Sequence, residues 1–145
     1  SLLRAACLLG LALPLLIGCG QQAPPANKIA IEIPPLSDEP GEVELLEAKV
    51  TRDKPDLINF EVKYRFKKGK PDKYYLVEIR FPGTKNFGNK PIESWQLKSE
   101  GSFKDGLYLT QIDGVKDIEF VMSESTNPMA GYTKNSNVLK TTIPQ

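Results

Sequence analysis

From residue 28 onward, apolar and polar residues alternate over short runs that are divided by Pro, Gly, Asp and Asn, which is the period of β-strands. The clearest run is 57–66. Ile58, Phe60, Val62, Tyr64 and Phe66 share one face there, and Asn59, Glu61, Lys63 and Arg65 share the other. Such a run predicts a half-buried antiparallel strand. The chain then turns through Lys67-Lys68-Gly69-Lys70-Pro71-Asp72, and Tyr75, Val77, Ile79 and Phe81 repeat the alternation against Glu78 and Arg80. The two runs are expected to form one long hairpin. Further strands are predicted over 43–51, 94–99, 106–112, 115–123 and 138–143, with a weaker one over 29–33 that Pro34-Pro35 ends. No stretch of about eleven residues keeps a helical period free of Pro and Gly. About seven short strands with turn signals between them predict an all-β fold, a single antiparallel β-sandwich over residues 41–145.

A different pattern opens the chain. Arg4 precedes an uninterrupted apolar run over residues 5–17, Ala-Ala-Cys-Leu-Leu-Gly-Leu-Ala-Leu-Pro-Leu-Leu-Ile, which has the layout of a secretory signal peptide. The run is shorter than the roughly 20 residues a spanning helix needs, and Pro14 weakens it further as a helix. An initiator methionine is expected upstream of Ser1. After Cys19 comes Gly-Gln-Gln-Ala-Pro-Pro-Ala-Asn, whose small and polar residues predict a solvated tether.

The four residues Leu16-Ile17-Gly18-Cys19 resemble the lipobox of bacterial lipoproteins, with Ile17 standing where Ala or Ser is most common. The resemblance implies cleavage after Gly18, diacylglycerol on the Cys19 sulfur and acylation of the new amino terminus. The expected organisation is therefore a signal peptide over 1–18, a lipidated cysteine and Pro-rich tether over 19–40, and the sandwich. The expected partner of the anchor is a membrane, in a cell envelope. Gly20 is not the aspartate that marks inner-membrane retention in that family, so the analogy points to the outer membrane of a two-membrane cell. The alternative is an ordinary signal peptide cut nearby, with Cys19 a bystander.

Composition narrows the chemistry. The chain has 145 residues, Lys+Arg 19, Asp+Glu 18, a formal net charge of +1, no histidine and two cysteines. Near-neutrality argues against nucleic acid as a partner, because such domains need a basic excess to displace counterions. The lack of histidine removes Ser-His-Asp and Cys-His catalysis and His-ligated metals. Cys7 would leave with the signal, so the mature chain has no cysteine pair for a disulfide framework.

The strand series over about residues 43–143 resembles immunoglobulin-like and fibronectin type III modules, by pattern only. There is no cysteine pair, and Trp95 lies on the fourth run of the series. A closed barrel of similar size is the alternative arrangement.

No catalytic residue, metal site or cofactor is expected. Lys63, Arg65, Lys67, Lys68, Lys70 and Lys73 stand against Asp72 alone. They form a candidate anion-binding hairpin for lipid headgroups, an acidic glycan or another polyanion. The competing reading is a set of gatekeepers that keep a hairpin tip soluble. The acidic series Glu32, Asp38, Glu39, Glu42, Glu44 and Glu47 is a candidate internal counterpart. Trp95, Tyr74, Tyr75, Tyr108 and Tyr132 raise saccharide stacking, with Tyr74 and Tyr75 required to point to opposite faces of one strand. Glu93, Glu100, Asp105, Asp113 and Asp117 lack the dense spacing of a calcium loop. Asp105-Gly106 and Asp113-Gly114 read as turns. The long connection over 123–137 offers Met129 and Tyr132 as loop contacts for an envelope protein. The function these features imply is a lipid-anchored, non-catalytic interaction module. The alternative is an envelope domain that binds an anionic or saccharide ligand.

Overall fold

The computed structural model describes residues 36–109 and 114–145. Cys19, the apolar run and the strand expected over 29–33 lie outside the described residues, as does the end of the strand expected over 106–112. Along the chain the strands are β1 (Glu42–Lys54), β2 (Leu57–Lys68), β3 (Tyr74–Arg80), β4 (Phe87–Ile92), β5 (Glu100–Tyr108), β6 (Asp117–Ser125), β7 (Thr133–Lys134) and β8 (Leu139–Thr142). One antiparallel sheet has the order β1-β2-β5. The other has the order β4-β3-β6-β7, with β8 also on β6. Strand content and topology make this an all-β sandwich.

The expected apolar faces are the faces that meet. Ile58, Phe60, Val62 and Tyr64 of β2 are buried, as are Tyr75, Val77 and Ile79 of β3 with Phe81 beyond it, and Ile118, Phe120 and Met122 of β6. Tyr74 is exposed where Tyr75 is buried, as strand alternation requires. Aromatic rings join the two layers: Phe60 packs on Phe120 at 5.1 Å between centroids, and Phe66 meets Tyr75 edge-on at 5.7 Å. The whole core lies within the compact unit Pro35–Gln145.

In β1 a bulge explains why the apolar positions change parity. Leu45 pairs with Tyr64 and Glu47 with Lys63, so Leu46 is the extra residue and points to solvent. Before the bulge Val43 and Leu45 face the core, and after it Ala48 and Val50 pack against it.

Three expectations need correction. First, the runs 57–66 and 75–81 are not a hairpin, because β2 and β3 belong to different sheets. Each has a single apolar face. Residues 69–73, with Gly69 at φ 79°, are enough chain to cross the roughly 10 Å between layers and turn the second face back onto the first. Second, residues 94–96 form a 3₁₀ turn, and the strand lies earlier, at β4. Pro91 hid it, but β4 is an edge strand, where a missing N–H costs no ladder bond. Third, Asp105-Gly106 is inside β5, not a turn. A Cβ on Gly106 would stand 2.7 Å from the Asn59 side-chain oxygen, so glycine serves a close cross-strand approach there.

The two long sides of the sandwich differ. Along β1, the Val43 N–H donates to the Asn135 carbonyl at 2.9 Å. The Asn137 side chain accepts from the Leu45 N–H at 2.8 Å and donates to the Leu45 carbonyl at 3.0 Å. One side-chain amide thus replaces a backbone unit and seals β1 to the other sheet. Along β4 and β5 no ladder joins the sheets among the described residues, so these residues form an open sandwich and not the closed barrel.

Candidate functional site

The six basic candidates fall into three environments. Lys63, Arg65 and Lys67 stand on the outer face of β2; the register of β1 sets Glu47 opposite Lys63 and Glu44 opposite Arg65, and the irregularity between Glu42 and Val43 leaves Glu42 in reach of Lys67. Lys63 Nζ lies 2.8 Å from Glu47, Arg65 Nε 2.6 Å from Glu44, and Lys67 Nζ 3.2 Å from Glu42. Three members of the acidic series named from the sequence are therefore cross-strand partners. Hydrogen bonding to Lys63, together with its charge, holds Glu47 below the usual carboxylate range, and the same contact raises Lys63. Glu61 is lowered chiefly by the Ser102 hydroxyl, with help from Lys104. The pairs are exposed, so each contributes little on its own, but together they form rows of alternating sign across the sheet.

Lys68 and Lys70 have no carboxylate within salt-bridge distance among the described residues. Lys68 lines a polar cleft of about 580 Å³ between the start of β1 and the segment that follows β7, together with Lys67, Lys134, Asn135 and Asn137.

Lys73 is the exception, only 5% exposed. Its ammonium donates to Glu124 Oε1 at 3.2 Å and to the Glu39 carbonyl. Glu124, 8% exposed, accepts in addition from the Gly41 N–H at 2.8 Å and from Asn135 Nδ2 at 3.0 Å. Gly41 fits because a Cβ there would lie 2.8 Å from Glu124 Oε2. This network ties the first residues of the sandwich to the residue before β3, to β6 and to the segment between β7 and β8. The sequence reading missed it, although a signal was present. Glu124 shares the inward parity of Ile118, Phe120 and Met122, and Lys73 shares that of Tyr75 and Val77. A charge on an apolar parity requires a buried partner.

The aromatic candidates do not form one platform. Trp95, 79% exposed, sits on the 3₁₀ turn Ser94–Gln96, at the end where β1 begins. Tyr108 is exposed at the opposite end, where β5 stops, and Tyr75 is in the core. Met129, 95% exposed, is on the 3₁₀ turn Pro128–Ala130, whose N-cap Asn127 accepts from the Met129 N–H, while Tyr132 is half-buried. Among the carboxylates, Asp105 lies 3.5 Å from Lys90 across the open side. No group of three His, Cys, Asp or Glu able to hold a metal occurs among the described residues.

On that open side, between β4 and β5, a cleft of about 260 Å³ has Phe60, Ile92 and Phe103 at its floor and Lys90, Lys104 and Asp105 at its rim. Among the described residues no helix is long and apolar enough to cross a membrane. Comparisons with family models, with curated proteins and with solved structures find no match.

Proposed function

We propose that this chain is a lipid-anchored lipoprotein of a bacterial cell envelope whose β-sandwich acts as a non-catalytic interaction module. One observation carries the reading: Leu16-Ile17-Gly18-Cys19 closes an apolar run and opens a polar, Pro-containing stretch that leads into the sandwich. Two or more acyl chains, at about 0.8 kcal/mol per buried methylene, would hold the chain at a bilayer without help from the folded domain. The domain is then free to present its surface to other envelope components.

The test is mass spectrometry of the amino-terminal peptide, together with membrane fractionation of the wild type and Cys19→Ser. The reading expects an acylated Cys19 in the membrane fraction and release of the variant. Equal membrane retention with an unmodified Cys19 would overturn it.

A further inference from the structure

We propose that the free edge of β5 pairs with the same edge of a second copy of this chain, antiparallel about Ser102, to make one continuous six-stranded sheet. This deepens the interaction-module reading by naming a partner, and it does not depend on the anchor at Cys19.

The edges of the two sheets differ. β1 is sealed by Asn135 and Asn137, and β4 is short and interrupted by Pro91. β5 runs from Glu100 to Tyr108 and, among the described residues, has β2 on one side only. The Phe66 N–H donates to the Ser99 carbonyl and the Leu109 N–H to the Asp56 carbonyl. In an antiparallel ladder these two bonds set the phase. Odd-numbered residues of β5 bond to β2, and Glu100, Ser102 and Lys104 aim their N–H and C=O groups away from the sheet. An edge of this kind is a template for another strand.

Charge selects the occupant and the register. The outer face of the sheet has two rows of alternating sign, Lys49-Glu61-Lys104 and Glu44-Arg65-Glu100, separated by Glu47-Lys63-Ser102. A two-fold axis through Ser102 sets Glu100 of each copy opposite Lys104 of the other. Each row then continues into the other copy without a break in alternation, and the middle row meets itself at two neutral serines. An axis through Lys104 would set lysine against lysine, which is destabilising, and the intermediate axis through Phe103 would set Lys104 opposite Ser102 and Glu100 opposite Gly106, gaining no opposite-charge pair. On the inner face the same register puts Phe103 opposite Gly101, where no side chain obstructs it.

The experiment uses the full chain in its own membrane with Ser102→Cys under mild oxidation, read as the disulfide-linked dimer on a non-reducing gel. Residues facing each other in a hydrogen-bonded pair have Cα atoms about 5.5 Å apart, within reach of a disulfide. Lys85→Cys, in an exposed loop, reports random collision. Glu100→Lys and Lys104→Glu are then each added to the Ser102→Cys chain, with different tags. Either charge variant alone faces its own copy with like charges, and its dimer band should fall about tenfold. Expressed together, the two should link to one another at the wild-type level. A Ser102→Cys band no stronger than that of Lys85→Cys, or mixed chains that link no better than either alone, would overturn the proposal. Anchoring is read separately from the acylation of Cys19, so the failure of one leaves the other standing.

Discussion

Replacing Glu124 with alanine should unsettle the junction between the entering chain and the sandwich. The substitution removes the acceptor of three hydrogen bonds, from Gly41 N at 2.8 Å, Lys73 Nζ at 3.2 Å and Asn135 Nδ2 at 3.0 Å. Lys73 stays behind as a buried ammonium with the Glu39 carbonyl as its remaining protein acceptor. Breaking one side of a buried ion pair costs about 3–5 kcal/mol. Here the cost should lie at the low end, about 3 kcal/mol, because a cleft of about 350 Å³ borders both residues and lets water reach the stranded groups. For a domain near one hundred residues that lowers the melting temperature by roughly 10–20 °C. Thermal and urea unfolding followed by far-ultraviolet circular dichroism is the assay, since Trp95 is too exposed to report on the core. Glu124→Gln, which keeps an acceptor for Gly41, should lose less than Glu124→Ala. Lys73→Met in the Glu124→Gln background should recover part of the loss by removing the unpaired charge. If Glu124→Ala melts within a degree or two of wild type, the network does not hold the entry segment and the reasoning fails.

Two further predictions follow from the core. Phe120, fully buried and packed on Phe60, should lose about 4 kcal/mol on substitution by alanine, while Trp95→Ala should stay within about 0.5 kcal/mol of wild type. Equal losses in urea titrations would contradict the layer assignment. Burial pushes the Tyr75 phenol up to about 12 from its ordinary value of 10.0. The unfolded chain therefore gives up this proton at lower pH than the native fold, so Tyr75 withdraws stability as pH rises from about 10 to about 12, by up to about 3 kcal/mol. Tyr75→Phe should flatten that part of the stability profile, and an unchanged slope would mean that the phenol titrates normally.

The strands were legible wherever one face is apolar and the other polar, because a half-buried sheet imposes a period of two on the chain itself. Residues 57–66 and 75–81 needed nothing more, and the buried residues of β2 and β3 are those the alternation names. Local chemistry stopped short where meaning depends on a neighbour. Pro91 reads as a strand breaker until β4 is known to be an edge, and Asp105-Gly106 reads as a turn until Asn59 is placed beside it. Alternation also says nothing of which sheet a strand joins, so two adjacent runs that looked like a hairpin lie in opposite layers.

The basic residues show the same division. Their number and spacing are properties of the sequence. That Lys63 and Arg65 each stand opposite a β1 glutamate follows from the register of one strand against the next, and that Lys67 reaches Glu42 follows from the irregularity between Glu42 and Val43. That Lys73 is withdrawn from solvent by a glutamate 51 residues further on follows from the packing of β6 against β3. Sequence determined the faces, because burial of apolar side chains is local in pattern. Tertiary structure decided the partners, because ion pairs, sealed edges and open edges are made by residues that meet only once the two sheets are formed.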